Sequence, residues 1–265
     1  MIKVFLSGYL NHNGALFRAL QKIYHEFKYT YQKIYFLVKW PKVNIFRIDN
    51  VKLDELRVGG FRSQFGQDYI LNRYYLDEKE NGFFIDVGCN HPEEISNSYF
   101  FENKKNWYGM AFDPLQKYKN DWNERRNKTE FYGVALGNEE RDIEFVEIEA
   151  VDGWEHTLSA LRSNVRKEDL KYPHKSLIVK MKLLDDYIEA KNIKQIDLLL
   201  VDVEGAEYDV LLGTNLSVNR PRVIVLENTK GWKGDNSIRN FLIKNGYLFK
   251  GRIWTVDDVY VDANA

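Results

Sequence analysis

Short apolar runs, most of them without alternating polar residues, constrain the fold of this chain more than any other feature. They are FFIDVG (83–88), WYGMAFD (107–113), EFYGVAL (130–136), IEFVEI (143–148), IDLLLVDVEG (196–205) and RVIVLEN (222–228). Continuous apolar character is typical of strands that are buried on both faces. Helical patterns over 115–126, 182–191 and 204–212 separate several of the runs. Strands that alternate with helices predict an α/β fold with a mostly parallel sheet, doubly wound so that helices cover both faces.

The end of the chain follows a different pattern. A predicted helix over 237–245 precedes YLFKGRIW (247–254) and VDDVYV (256–261), which are close enough in sequence to form a hairpin. We therefore expect an antiparallel C-terminal strand pair beside the parallel sheet. Before the first run, Ser63 is a candidate cap for a helix through residues 68–74.

The N-terminal segment differs in charge from the rest of the chain. Its first fifty residues carry eight basic and two acidic side chains, and since the whole chain sums to −1, the remainder sums to −7. Apolar residues recur at helical spacing, at Leu16, Leu20, Ile23, Tyr24, Phe27 and Tyr31. We predict a basic, aromatic helical extension over 1–58, before a main domain over 59–265. The helix either packs on that domain or makes peripheral contact with an anionic membrane surface.

Composition excludes several classes of protein. The single cysteine, Cys89, excludes a disulfide framework and a multi-cysteine zinc site, and it is typical of a reducing compartment. The N-terminus is a poor match to a signal peptide, and no apolar run is long enough to span a bilayer. We expect a cytoplasmic location, with possible peripheral contact at the inner face of the membrane. The net charge of −1 gives no general signature of nucleic-acid binding.

Acidic residues follow the predicted strands. Asp86 ends the first run, Asp113 the second, Asp202 and Glu204 follow the fifth, and Glu227 ends the sixth. In open α/β sheets, ligands bind beyond the carboxyl ends of the strands, where the strand order reverses. The spacing thus predicts an acidic site at this edge of the sheet.

The loop after the first strand is not built for phosphate. Gly88 is followed by Cys89, Asn90, His91 and Pro92, so the glycines of a dinucleotide loop are missing, and the chain has no P-loop motif. Carboxylates with one glycine suit a ligand that has an ammonium end and ribose hydroxyls. S-adenosylmethionine has that composition.

Several motifs together carry a family resemblance. They are SQFGQDYIL (63–71), FIDVGCNHPEEISNSYFF (84–101), YGMAFDP (108–114), TLSAL (157–161), IDLLLVDVEGAEYDVLLG (196–213) and RPRVIVLEN (220–228). In order and spacing they resemble the FkbM family of S-adenosylmethionine-dependent methyltransferases, from about Arg62 to Val261, with VDVEGAE (201–207) the most specific element. The resemblance implies a class I, Rossmann-like methyltransferase fold and methyl transfer to a hydroxyl oxygen.

The resemblance also implies roles for individual residues. The cofactor-binding residues it implies are Gln64, Asp68, Asp86, Gly88, Asn90, Asp113, Ala135 and Asp202. Among them Asp86, Gly88 and Asn90 would line the methionine half, Asp113 would bind the ribose, and Ala135 would lie near adenine. Structural roles compete with these: Asp86 as a cap, Asp113 as a turn residue, and Gln64 and Asp68 as ordinary first-turn helix residues.

Three carboxylates are the candidate catalytic residues: Asp202, Glu204 and Glu227. An alcohol must lose its proton to become a useful nucleophile, which requires a base or a metal ion. One carboxylate whose pKa is raised by its neighbours could be the base. Alternatively the three could bind Mg²⁺ or Mn²⁺. His91 and His156 are weaker candidates for the base. Residues 150–176 are predicted to cover the acceptor site, with Trp154 and Tyr172 available to stack on a sugar.

The sequence therefore favours an O-methyltransferase that acts on a sugar or glycan, with a surface polysaccharide as the favoured acceptor, or on another small molecule. Two other functions compete. A nucleic-acid methyltransferase would need a basic, aromatic groove, which the charge of −7 after residue 50 disfavours. A non-catalytic S-adenosylmethionine-binding module would have no need for acidic residues at three strand ends.

Overall fold

The computed structural model describes residues 15–149 and 155–265. In chain order its N-terminal half contains helix α1 (Ala15–Lys39), strand β1 (Asn44–Phe46), helices α2 (Asn50–Val58) and α3 (Gln67–Tyr74), strand β2 (Phe83–Val87), helix α4 (Tyr99–Lys105), strand β3 (Tyr108–Phe112), helix α5 (Lys119–Arg125) and strand β4 (Thr129–Tyr132). The C-terminal half contains strands β5 (Ala135–Leu136), β6 (Arg141–Ile148), β7 (Ala160–Leu161) and β8 (His174–Lys182), helix α6 (Leu184–Ala190), strand β9 (Ile196–Val201), helix α7 (Glu207–Leu212), strand β10 (Pro221–Glu227), helix α8 (Ser237–Lys244), and strands β11 (Tyr247–Ile253) and β12 (Asp257–Asp262).

The main sheet has eight strands in the order β1-β11-β12-β10-β9-β2-β3-β4. Of these, β12 is the one that runs antiparallel to both of its neighbours, β10 and β11. The predicted mostly parallel sheet with an antiparallel C-terminal pair is confirmed. The order reverses at β2, which pairs with β3 on one side and with β9 on the other. This reversal places the carboxyl ends of β2 and β9 side by side.

Apolar side chains fill both faces of this sheet. Strand β9 is buried along its whole length, and its residues alternate between two clusters. Leu199 and Val201 pack with side chains from α6, α7 and α8. Leu198 and Leu200 pack on the other face with side chains from α3 and α4. Burial on both faces explains why IDLLLV has no polar alternation.

Two of the apolar runs contribute to a second, four-stranded sheet with the order β5-β8-β6-β7. IEFVEI lies in β6, which pairs with β8 in antiparallel register from Arg141↔Met181 to Ile148↔His174. EFYGVAL divides between β4 of the main sheet and β5 of the second one. Strand β8 was not predicted, because polar and basic residues flank its short apolar run at 177–179 and most of the strand is exposed or half-buried. Part of the predicted covering segment, 150–176, therefore belongs to this sheet, while Trp154 lies outside the described residues.

One predicted helix start is wrong, and backbone geometry gives the reason. The helix predicted from residue 204 begins at Glu207, because Glu204 (φ 51°) and Gly205 (φ 103°) adopt the left-handed conformation. Ser63 is not the N-cap residue of α3, which is Gly66 with φ 79°. The Ser63 hydroxyl nevertheless accepts a hydrogen bond of 3.2 Å from the Asp68 amide in the first turn and donates one to Asp68 Oδ1, so the predicted capping contact is present.

The predicted extension over 1–58 is joined to the main domain. Strand β1 extends the main sheet by pairing in parallel with β11. Phe36 of α1 and Val43 are buried in one of its two clusters, whereas Ile23 and Phe27 of α1 are exposed. Over residues 15–149 and 155–265, no helix combines the length and the apolar composition that crossing a membrane requires.

Candidate active site

A cavity of about 320 Å³ opens beyond the carboxyl ends of β2, β3, β9 and β10. Nine of the ten residues predicted for the site line it: Gln64, Asp86, Gly88, Asn90, Asp113, Ala135, Asp202, Glu204 and Glu227. They come from parts of the sequence that are up to 163 positions apart, between Gln64 and Glu227. The reversal of strand order brings these parts together, because parallel strands end at the same edge of the sheet.

Gly88 allows the ends of β2 and β9 to approach each other. Its φ of 82° is left-handed, and a Cβ atom at this position would lie 1.7 Å from the carbonyl oxygen of Asp202. The Asp202 amide in turn donates a 2.9 Å hydrogen bond to the Val87 carbonyl. Any side chain at position 88 would therefore push the two strand ends apart. The DVG turn thus forms the floor of the cavity.

Asp113 connects β3 to the loop that follows β2. Its Oδ2 accepts a hydrogen bond of 3.1 Å from the Asn90 amide, and its Oδ1 accepts one of 2.8 Å from the Leu115 amide. Trp122 Nε1 donates to the Asn90 carbonyl at 2.7 Å. Burial raises the pKa of Asp113 to about 6, although these amide hydrogen bonds act in the opposite direction. The carboxylate keeps lone pairs that can accept hydrogen bonds from a ligand.

A buried ionic network that includes Arg126 lies next to Asp86. Burial raises the pKa of Asp86 to about 6, while a hydrogen bond from Ser98 and the charge of Arg126 lower it. The Arg126 side chain is buried and forms an ion pair of 2.8 Å with Glu102. It also donates to the Pro92 carbonyl at 2.6 Å and to Ser98 at 3.1 Å. Arg126 therefore fixes the course of residues 92–98 under the cavity.

Four further carboxylates line the cavity: Asp202, Glu204, Glu227 and Asp257. Burial within the protein, followed by the charge of Glu204, raises the pKa of Asp202 well above its ordinary value. Asp202 is exposed to the cavity, so solvent there offsets part of the effect of burial on its pKa. Repulsion from the neighbouring carboxylates therefore remains as the cause that raises this pKa. Burial and the charge of Asp202 likewise raise the pKa of Glu227.

Glu204 has a basic residue, Arg166, close by. Burial raises the pKa of Glu204 to about 7, and the positive charge of Arg166 limits this rise. Arg166 Nε is itself paired with Asp169 Oδ2 at 2.5 Å. At neutral pH a group with this pKa is present in both protonated and ionised forms, so Glu204 can accept a proton and release it again.

The wall of the cavity between these carboxylates is apolar. Ala135 and Leu136 of β5, Phe145 of β6 and Leu161 of β7 all line it. The second sheet therefore supplies an apolar surface to the cavity. Ala135, predicted to lie near adenine, is part of this surface.

Asp68 does not line the cavity. It is fully buried, and its carboxylate accepts hydrogen bonds from the Arg62 amide at 2.6 Å and from the Ser63 amide at 3.2 Å. These hydrogen bonds stabilise the turn that contains Gln64. His91 also lies outside the cavity lining: its Nδ1 accepts hydrogen bonds from the amides of Glu93 and Glu94, at 3.2 and 2.9 Å.

Sequence reasoning missed several lining residues. Gln67 and Asp257 line the cavity and are bonded to each other, Gln67 Nε2 donating to Asp257 Oδ2 at 2.9 Å. The position of Asp257 after the penultimate strand could have indicated that it lines the cavity, because the other acids also follow strands. It was not predicted because it belongs to an antiparallel strand, which was not expected to reach this edge of the sheet. Ser96, Asn97, Thr157 and Ser159 also line the cavity. His156, which was predicted as a weaker candidate for the base, lines it too. Tyr172 is not among the described lining residues.

The residues that line the cavity determine which ligands it can take. Seven of them are acidic, and no Lys or Arg is among the described lining residues. Within the described ranges, no group of three or more His, Cys, Asp or Glu side chains is arranged to hold a metal ion. The predicted Mg²⁺ or Mn²⁺ set of Asp202, Glu204 and Glu227 is therefore not supported. Two buried acceptors, Asn90 Oδ1 and Asn97 Oδ1, have no hydrogen-bond partner in the described part of the chain.

Comparison with known families agrees with this geometry. The model of the Methyltransferase FkbM domain matches residues 86–249, which begin at the DVG turn and end in β11. The chain belongs to the FkbM methyltransferase family. The match includes the ends of β2, β3, β9 and β10 that carry the cavity carboxylates of this FkbM methyltransferase. A search of curated proteins finds no match to it.

Proposed function

We propose that this FkbM methyltransferase transfers a methyl group from S-adenosylmethionine to a hydroxyl oxygen of a sugar or glycan, a surface polysaccharide being the favoured acceptor. We further propose that its sheet is the Rossmann-like sheet of class I methyltransferases. One observation carries the proposal: Asp86, Gly88, Asp113 and Asp202 line one cavity at the reversal point of a mostly parallel sheet.

The cavity suits the chemistry of this cofactor. S-adenosylmethionine carries an ammonium and a sulfonium, and a cavity lined by seven acids and no described Lys or Arg favours such positive groups. The unpartnered Asn90 Oδ1 and Asn97 Oδ1 offer acceptors for ammonium or hydroxyl hydrogens. Asp113 would bind the ribose hydroxyls, and the apolar surface around Ala135 and Phe145 would contact adenine.

The same charge distribution favours a neutral acceptor over a nucleic acid. Phosphate contacts dominate the affinity of proteins for nucleic acids, and their electrostatic part comes from Lys and Arg. A phosphodiester entering this cavity would instead meet carboxylates. Gln64, Thr157 and Ser159 are neutral polar lining residues that can hydrogen-bond sugar hydroxyls. The choice of a glycan among neutral acceptors rests on the family resemblance.

The protein's own residues then have two tasks, alignment and proton removal. When bound, the cofactor supplies an electrophilic methyl carbon. Asp202 and Glu227 would position the acceptor hydroxyl in line with that carbon, and alignment of this kind can lower a barrier by roughly 7–11 kcal/mol. Glu204, with its pKa of about 7, would take the hydroxyl proton as the new O–C bond forms and the C–S bond breaks. No step requires a metal ion.

Calorimetric titration with S-adenosylhomocysteine tests the cofactor assignment. We expect the wild type to bind it, and Asp113→Ala and Asp113→Asn to bind at least tenfold more weakly, which corresponds to about 1.4 kcal/mol. Glu124→Ala removes an exposed acid of α5 and should leave binding unchanged. Undetectable binding to the folded wild type would refute the proposal. Transfer of radiolabelled methyl groups to RNA or DNA but not to neutral oligosaccharides would refute the acceptor class alone.

A further inference from the structure

Helix α1 has a second apolar face that the domain does not cover. Tyr29, Gln32 and Phe36 lie on the face that packs against the domain, where Gln32 and Phe36 are 2% and 1% exposed. The opposite face carries what we call the α1 stripe: Leu16, Ile23, Phe27, Ile34 and Val38. These side chains are between 58% and 74% exposed. Their spacing of seven and four residues places them in one line along the helix.

The length of this stripe distinguishes it from ordinary surface residues. Isolated exposed apolar side chains are common on soluble domains, whereas continuous patches mark contact surfaces. From Leu16 to Val38 the stripe extends roughly 33 Å at 1.5 Å per residue. Tyr31 and Leu37, which are 53% and 47% exposed, widen it. The exposed face of α1 thus has the extent of a contact surface.

Basic residues flank the stripe on both sides. At 3.6 residues per turn, Lys22 and Lys33 lie along one edge, and Lys28 and Lys39 along the other. Lys22, Lys33 and Lys39 are exposed. Glu26 is the single acidic residue in the sequence of α1, and it is bound to Arg47. Lysines at the borders of an apolar face can extend towards anionic groups while the apolar side chains are buried.

We propose that the α1 stripe binds the surface of an anionic lipid bilayer, with α1 lying in the plane of the interface. The apolar residues would enter the acyl boundary, and the flanking lysines would meet the anionic headgroups. A second copy of the chain fits less well, because two stripes face to face would bring the four lysine positions of each helix together. Anionic lipid headgroups carry the negative charge that is complementary to these lysines.

This arrangement would hold the cavity close to the bilayer. Tyr29 of α1 stacks on Trp254 at 5.6 Å, and Trp254 stacks on Phe65 at 5.9 Å. Phe65 lines the cavity, and Arg47 lies over the Trp254 ring at 4.5 Å. A row of rings thus connects the packed face of α1 to the cavity wall. An acceptor carried on a lipid would then be within reach, a consequence that rests on the proposed function, whereas membrane binding itself does not.

Vesicle co-sedimentation of the full chain tests the proposal without an activity assay. We expect the wild type to sediment with phosphatidylglycerol–phosphatidylcholine vesicles and at least tenfold less with phosphatidylcholine alone. The variants Phe27→Glu/Ile34→Glu and Lys22→Glu/Lys33→Glu should each lose at least tenfold in partition. The matched control Ile178→Glu/Val218→Glu alters side chains that are 72% and 73% exposed elsewhere and should bind like the wild type.

Several outcomes would overturn the inference. Wild-type protein that stays in the supernatant with anionic vesicles would do so, as would an equal loss in the control variant. A dimer in size-exclusion chromatography that Phe27→Glu/Ile34→Glu abolishes, without vesicle binding, would assign the stripe to self-association. Thermal midpoints of all variants should agree, and if the glutamates unfold the protein, Phe27→Ser/Ile34→Ser replaces them.

Discussion

Gln67 Nε2 donates a hydrogen bond of 2.9 Å to Asp257 Oδ2, joining the first turn of α3 to the first residue of β12 across 190 residues of sequence. Gln67 Oε1 also accepts a 2.8 Å hydrogen bond from the Phe65 amide. Both Gln67 and Asp257 line the cavity. The bond therefore ties the loop that carries Gln64 to the antiparallel end of the sheet.

We expect Gln67→Leu to lower the free energy of unfolding by about 1–3 kcal/mol, because it leaves the buried Asp257 carboxylate without this donor. Urea denaturation measures the change. The control Gln116→Leu removes an exposed glutamine that donates to the Gly133 carbonyl at 2.8 Å, and it should cost less than about 1 kcal/mol. Equal losses in the two variants would show that the Gln67–Asp257 bond has no special part in stability.

Gly88→Ala should lower the free energy of unfolding by more than about 2 kcal/mol, because the new Cβ would collide with the Asp202 carbonyl. The same collision should abolish S-adenosylhomocysteine binding. Gly234 offers a matched control. Its φ of 102° is also left-handed, but no atom lies within 4 Å of the position of its Cβ. Gly234→Ala should cost only the backbone strain, about 1 kcal/mol, and should keep binding. Urea denaturation and calorimetry on both variants separate the cost of backbone strain from the cost of the collision. Unchanged ligand binding by Gly88→Ala would contradict the close approach of β2 and β9.

Arg126→Met should lower stability by about 3–5 kcal/mol, since it leaves Glu102 buried without its partner. The neighbouring Arg125 is the control. Its ion pair with Glu93 is 3.4 Å long, and the two side chains are 49% and 32% exposed, so Arg125→Met should cost less than about 1 kcal/mol. If urea denaturation gave the two variants the same midpoint, the network below Asp86 would not be a source of stability.

Stability should fall as the pH rises from about 4 to about 6. Burial raises the pKa values of Asp86, Asp113 and Asp257 from 3.8 to about 6. Over that interval the folded protein still holds protons that the unfolded chain has released, so each unit of pH favours unfolding, and above pH 6 the full cost of ionisation is present. Asp257→Asn carries no such cost, so its unfolding free energy should fall less steeply than that of the wild type. Parallel curves between pH 4 and 7 would contradict the raised pKa of Asp257.

Glu204 should titrate near neutrality. Carbon-13 NMR of glutamate-labelled protein should show a carboxyl signal, absent from Glu204→Gln, whose midpoint is close to the pKa of about 7. The variant Glu168→Gln, which alters an exposed side chain, should retain that signal. If Glu204 is the base, kcat/KM should rise with pH up to this midpoint and then level off, because only the ionised form accepts the proton. A midpoint below 5 would remove the reason for choosing Glu204 over its neighbours.

The amino-acid sequence was enough to predict the features that depend on neighbouring residues. Runs such as IDLLLV have no polar alternation because both faces are buried, and this pattern predicted the parallel sheet. Acids directly after those runs predicted the acidic edge, because strand ends of a parallel sheet share one edge whatever their order. The resemblance added the family, which the FkbM match confirms.

Features that depend on distant parts of the chain became visible in the folded protein alone. No local pattern showed that Asp257 would reach Gln67, since the position of β12 depends on its pairing with β10 and β11. Strand β6 lies outside the main sheet because it pairs in antiparallel register with β8, a strand that was not predicted. The periodicity of α1 revealed an apolar face but not whether the domain would cover it, because burial is a property of what packs against a helix and not of the helix alone.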